Sequence, residues 1–138
     1  MANFFGVRKI YSKLSVFELV LLLFAFSLAA YFALVFLLGS TNFFATVVSN
    51  SMAPTLWRGD LAVLSKIGDY KIGDIIVFKR GKETIIHRIA KVLPEGFKTK
   101  GDNNSQADFP IVGEKNVFGK VVFVLPKFGH INLYLSGR

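Results

Sequence analysis

The sequence predicts a mainly β protein, a small coiled-sheet or barrel-like domain behind one N-terminal transmembrane helix. Three observations predict it. Residues 16–38, "VFELVLLLFAFSLAAYFALVFLL", carry a single charge, Glu18, in 23 positions. Beyond residue 42 the chain breaks into six short runs rich in Val, Ile, Phe and Thr. Between those runs lie Gly, Asp, Asn and Pro clusters, and no stretch has a helical period.

The apolar run comes first. At 1.5 Å per residue it makes a helix about 34 Å long, enough to cross a hydrocarbon core of about 30 Å with some tilt. A buried core helix is the competing reading. The hundred or so residues that remain could hardly wrap a helix that is apolar all round. A cleaved leader is the other. The run is longer than the apolar part of such leaders, and "GSTNFF" after it offers no small-x-small cleavage site. A retained anchor is therefore expected. Arg8, Lys9 and Lys13 precede it, so residues 1–15 form a basic cytoplasmic N-terminus and residues 40–138 lie on the extracytoplasmic side of the cell membrane.

The strands come in order: "FFATVV" (43–48), "DLAVLSKI" (60–67), "DIIVFKR" (74–80), "ETIIHRIAKVL" (83–93), "GFKTK" (96–100) and "NVFGKVVFVL" (116–125). The turns "WRGD", "GDYKIGD", "RGKE", "PEG" and "GDNNSQADFP" separate them. The tail "LPKFGHINLYLSGR" is too short and polar for a second span. It is expected to lie along the membrane interface, with Phe128 and Tyr134 as anchors.

Composition narrows the function. The chain is 52% hydrophobic with 15 Phe, and its net charge is +8. After residue 39 there are 14 basic and 8 acidic side chains, a balance of +6. Those lysines are scattered, which suits anionic lipid headgroups. Without a recognition motif, nucleic acid is not an expected partner. The sequence has no Cys, which removes thiol catalysis, disulfides and thiolate metal sites. His87 and His130 are far apart and form no ligand pair. Neither a metal nor a cofactor is expected.

Serine hydrolysis needs a hydroxyl, a base and donors for the oxyanion. "VVSNSMAPTLWRGD" (47–60) puts Ser51 at a strand-to-turn junction beside Pro54. Alone, such a stretch reads as a loop. His87 in "TIIHRIAKV" alone reads as a half-exposed strand residue, and Asp102 and Asp108 around "NNSQA" read as turn formers. "RGD" at 58–60 is a tripeptide that recurs by chance, and here it begins a strand. "NNS" at 103–105 fits a glycosylation sequon inside the same loop.

In combination these segments say more. "SMAPT", "RGDLAVL", "GDIIVF", "IIHRI" and "KGDNN" with Asp108 occur in this order behind one anchor. The pattern resembles the type I signal peptidase family over about residues 40–125. "SMAPT" is similar to the family's Ser-Met-x-Pro-Thr nucleophile block. Bacterial members carry Lys at the base position; His87-Arg88 here resembles the branch found in archaea and the endoplasmic reticulum.

The resemblance implies a membrane-bound serine endopeptidase that cleaves signal peptides from exported preproteins. Ser51 would be the nucleophile and His87 the base. Asp108 corresponds to the third catalytic residue and Asp102 to a second important carboxylate, although spacing alone does not choose between them. Ser49 matches the position of an oxyanion-hole serine. A histidine base is largely neutral at pH 7, with an ordinary pKa of about 6.5, and a nearby carboxylate holds its tautomer. Ser51 lies about 13 residues beyond the anchor, so its hydroxyl is expected near the membrane surface, where a preprotein's cleavage site emerges. The competing reading is a non-catalytic, membrane-tethered β module that binds a partner or lipid. A relative acting on other exported precursors is the third.

Overall fold

The computed structural model describes residues 15–39 and 41–137. The expected cytoplasmic segment, with Arg8, Lys9 and Lys13, lies outside the described residues. The chain divides into two compact units, Met1–Leu34 and Val35–Arg138.

The first unit holds most of helix α1 (Val16–Leu38). Ser15 and Glu18 start it with a reciprocal cap. The Glu18 N–H donates to Ser15 Oγ (3.2 Å), and the Ser15 N–H donates to Glu18 Oε2 (2.8 Å). Two of the N–H groups that a helix start leaves unpaired, or that flank it, are satisfied this way. The sequence expectation thus gains a detail: Glu18 caps the helix. Residues along α1 turn apolar side chains outward on every side, with Phe24 68% and Phe32 61% exposed. A soluble core helix would bury one face. Among the described residues this is one helix long and apolar enough to cross a membrane.

The second unit is a six-stranded antiparallel sheet. Its strands are β1 (Phe44–Thr46), β2 (Leu61–Ser65), β3 (Ile75–Arg80), β4 (Glu83–Leu93), β5 (Gly96–Lys100) and β6 (Val117–Leu125). Their order across the sheet is β1-β2-β6-β3-β4-β5. All six lie where the β-rich runs predict them. Central strand β3 buries Ile76, Val77 and Phe78 in succession, because both of its faces are covered. Ile76 and Phe78 pack with Ile89, Phe97, Val112 and Val117, whereas Val77 packs with Ala62 and Leu64. That double burial explains why "GDIIVF" reads as a continuous apolar run instead of an alternating one. Buried and exposed residues alternate only loosely along β4. Its pairing with β5 slips between Ile89 and Lys91, a bulge that breaks the two-residue period.

A third apolar cluster lies under the turn after β1. Val47, Met52 and Leu56 are buried there, with Ile75, Ile86 and Val124 against them. The sequence offered no reason for Met52 beyond resemblance. The structure supplies one: at 1% exposure it pins the turn carrying Ser51 to the sheet. Met52→Ala is expected to destabilise the β domain by about 2–5 kcal/mol, the range for emptying a buried Met site, and Met52→Leu by less than about 1.5. Thermal unfolding of the detergent-solubilised chain followed by circular dichroism checks this. Equal midpoints for wild type and Met52→Ala would contradict the anchoring role.

In the tail the structure adds an element that the sequence reading did not name. Residues His130–Leu135 form a short helix, α2, whose Leu133 is buried. Pro126 and Gly129 precede that turn, so neither interrupts it.

Candidate active site

Three elements bring the site together: Ser49, Ser51 and His87 line one cavity of about 1050 Å³, and Asp108 meets His87 from behind. The turn after β1 carries Ser49 and Ser51, β4 carries His87, and the loop after β5 carries Asp108. Ser51 sits in a tight turn whose Leu56 N–H donates to Met52 O (2.9 Å), above the Met52 anchor. The loop after β5 is stitched to that turn. The Asn103 N–H donates to Ser51 O (2.8 Å), and Asn103 Nδ2 donates to Asn50 O (3.3 Å). The sequon amide is therefore engaged within the fold. At the loop's far end, the Asp108 N–H donates to Thr99 O (2.8 Å).

His87 is not the half-exposed strand residue that its sequence context suggests. Only 5% of it is exposed, and its ring meets Phe78 edge-on at 6.4 Å between centroids. Its two nitrogens face different partners. Nδ1 is 2.5 Å from Asp108 Oδ2, and Nε2 is 3.2 Å from Ser51 Oγ. An ionised carboxylate can only accept, so Nδ1 carries the proton and Nε2 offers its lone pair to the Ser51 hydroxyl. Asp108 is held by further groups. Thr99 Oγ1 donates to Oδ2 (2.7 Å), and Arg80 Nη1 lies 3.5 Å from Oδ1.

Tertiary placement separates the two aspartates that spacing left equivalent. The Asp102 carboxylate is taken up by Arg88 and Thr55, whereas Asp108 meets the imidazole. Arg88 Nε donates to Oδ1 (2.9 Å), Arg88 Nη2 to Oδ2 (2.6 Å), and Thr55 Oγ1 to Oδ2 (2.5 Å). Arg88 Nη1 also donates to Gly73 O (2.7 Å). Asp102 thus ties the turn that carries Ser51, β4 and the loop after β5 together through a bidentate pair. The Arg88 hydrogen bonds hold the Asp102 carboxyl below its ordinary range, against some desolvation; Thr55 adds to the effect.

That direction sets a pH dependence. A carboxyl depressed on folding adds stability at pH values above its unfolded pKa of about 3.9, and this is lost as pH falls through the folded value. Asp102→Asn is therefore expected to lower the unfolding midpoint at pH 7, with the gap from wild type narrowing as pH falls below about 3.9. A gap that shows no narrowing at all as the carboxylates are titrated would contradict the ion-pair origin.

Around Ser51 two donors are available for a developing oxyanion. Ser49 Oγ is 3.1 Å from Ser51 Oγ. The Ser51 N–H meets Ser49 Oγ only at 3.5 Å, too long to hold that donor firmly. The cavity continues along the apolar Val47, Val48, Ile85 and Ile86 and along the polar Arg80, Lys82, Glu83 and Thr84. The "RGD" tripeptide has a structural explanation. Asp60 is buried, and its carboxylate accepts from the N–H groups of Trp57 (2.9 Å) and Lys127 (3.0 Å).

Among site residues, sequence reasoning missed Thr99, Arg80, Thr55 and the role of Arg88. Thr55 and Arg88 lie inside matched blocks and could have been nominated. Thr99 and Arg80 leave no signal, because only folding brings β3 and β5 to Asp108. Among the described residues no group of His, Asp and Glu is arranged to hold a metal ion.

A β domain with Ser, His and Asp in line at hydrogen-bond distance carries the constellation of the serine hydrolases. Residues 28–122 match the Peptidase S24-like family, and the chain belongs to it. It is 32% identical over 112 residues to the signal peptidase complex catalytic subunit sec11 of Dictyostelium discoideum, covering 70% of this chain and 63% of that protein. It is 34% identical over 119 residues to the signal peptidase complex catalytic subunit SEC11C of Canis lupus familiaris, covering 75% and 62%. Signal peptidase I W of Bacillus subtilis is 40% identical over 80 residues, covering 52% and 42%. The chain thus spans less than two thirds of the length of these relatives. The resemblance drawn from the ordered motifs is borne out.

Proposed function

We propose that the chain is a membrane-anchored serine endopeptidase that removes signal peptides from exported preproteins. The observation that carries this reading is the line from Asp108 through His87 to Ser51, with separations of 2.5 and 3.2 Å. The names of its relatives supply the substrate class, and the open cavity beside Ser51, with Val47, Val48, Ile85 and Ile86 in its wall, suits an extended peptide.

The chemistry rests on the atoms present. Ser51 Oγ attacks the scissile carbonyl carbon while His87 Nε2 takes its proton. The carbonyl oxygen becomes an oxyanion held by the Ser51 N–H and the Ser49 hydroxyl. Asp108 stabilises the imidazolium. Collapse of the tetrahedral intermediate breaks the C–N bond, and His87 returns the proton to the leaving amine. Water, deprotonated by His87, then cleaves the ester between the signal peptide and Ser51. In this scheme Asp102 holds the frame and does not touch the reacting atoms.

Residues 16–38 serve as the anchor, with residues 1–15 cytoplasmic and residues 40–138 on the extracytoplasmic side, where basic side chains meet anionic lipid. A non-catalytic module is the less economical reading. It gives no reason to bury His87 between a hydroxyl and a carboxylate.

The test is to incubate the full chain in detergent with a preprotein and sequence the new N-terminus. Cleavage at the signal-peptide boundary supports the proposal. An intact preprotein, under conditions where the chain is folded, overturns it.

A further inference from the structure

One wall of the cavity beside Ser51 has no part in the proposed chemistry. Asn132, Leu133 and Ser136 line the same space as Ser51 and His87. They come from α2 and the residue just past it.

This tail is fixed to the nucleophile side of the domain at several points. The Lys127 N–H donates to Asp60 Oδ1 (3.0 Å), while the Trp57 N–H holds Oδ2 of the same buried carboxylate (2.9 Å). Gly129 approaches β1 and its neighbours so closely that a Cβ there would lie 2.7 Å from Asp60 O and 2.8 Å from Thr46 Cγ2. Only glycine fits such a site. The His130 ring covers Gly59, leaving no room for a Cβ on that residue either. Asn132 Nδ2 donates to Thr46 Oγ1 (3.0 Å), which spends its amide on β1. Leu133 is 5% exposed, and the exposed Ser136 bonds back to Leu133 O (3.1 Å). The cavity therefore receives from α2 a fixed leucine and a small serine.

Thr46 precedes Ser51 by five residues. At about 3.3 Å per residue, an extended chain covers at most about 17 Å between them. A substrate strand running from Ser51 along β1 reaches α2 within about five residues of the scissile bond.

We propose that α2 is the far wall of the substrate groove, and that Leu133 and Ser136 set the side-chain size accepted three to five residues from the cut. This rests on the endopeptidase reading above. Packing at a fixed wall discriminates size by about tenfold or more, because a wrongly sized side chain loses contact or clashes.

The test uses the full chain in detergent and preproteins with Ala, Leu or Phe placed singly at each of the six residues before the cut. The readout is the Phe-to-Ala ratio of kcat/KM at each position. Ser136→Trp narrows the groove without touching the core, and is expected to lower that ratio at least about tenfold at one position between the third and the fifth. Leu133→Ala is expected to raise it at the same position. Ratios unchanged at every position, or a uniform change at all six, overturn the inference while leaving the endopeptidase reading intact. Failure of the unaltered chain to cleave any preprotein overturns both.

Discussion

Replacing Ser51 with Ala is expected to lower preprotein cleavage by about 10⁶-fold, with His87→Ala similar, and the double variant little worse than either. The near-equality arises because the two side chains act as one unit. Without the hydroxyl there is no nucleophile for His87 to deprotonate; without the base the hydroxyl stays protonated. The 3.2 Å contact between Ser51 Oγ and His87 Nε2 is the geometry that makes them a unit. Neither substitution should unfold the domain. Ser51 is a turn residue whose backbone carbonyl, not its hydroxyl, receives the Asn103 N–H. His87→Ala leaves a small hole beside Phe78, so its unfolding midpoint needs measuring alongside activity. The assay is the rate of appearance of the shortened product, read by gel and confirmed by mass. Wild-type cleavage by a folded Ser51→Ala chain would remove Ser51 from the mechanism.

Asp108→Asn is expected to cost about 10⁴-fold, the size found when the buried aspartate of a Ser-His-Asp triad is neutralised. The environment of Asp108 explains why an isosteric amide cannot substitute. Three donors face its two oxygens: His87 Nδ1 and Thr99 Oγ1 on Oδ2, and Arg80 on Oδ1. An Asn has one acceptor oxygen. If that oxygen faces His87 and Thr99, the NH₂ meets Arg80, and no negative charge remains to stabilise the imidazolium. If the NH₂ faces His87, the proton moves to Nε2, and the lone pair no longer points at Ser51. Asp102→Asn separates the two aspartates. It removes the charge that pairs with Arg88 and turns one of the two acceptor oxygens facing Arg88 and Thr55 into a donor, so its main effect should fall on stability above about pH 4. A loss of activity from Asp102→Asn equal to that from Asp108→Asn, in a folded protein, would refute this division.

Some features are legible from local sequence because they rest on local physics. An uninterrupted apolar run of 23 residues has few options besides a membrane-length helix. The six strands arise from β-branched and aromatic runs between turn residues, and hydrogen bonding only adds their order. "IIHRI" is less transparent. A bulge in the second half of β4 disturbs its period, so sequence pattern alone does not show which face His87 occupies. Recognition of the site depended on several short blocks in order, since each of Ser51, His87, Asp102 and Asp108 has a bland reading by itself.

The sequence by itself determined the helix α1, the β character of residues 43–125, and the short set of groups from which a hydrolytic site could be drawn. Tertiary structure alone decided which aspartate reaches His87, because both lie in one loop and only its docking on β5 and on the turn that carries Ser51 orients them. It also gave Met52 its place beneath Ser51, brought Thr99 and Arg80 to Asp108, and set α2 against Thr46. The polar contacts among these join residues 9 to 86 positions apart, with the two partners on different elements of the fold. Neighbouring sequence carries no trace of such a pairing, since the shape of the packed sheet and the burial it allows select it.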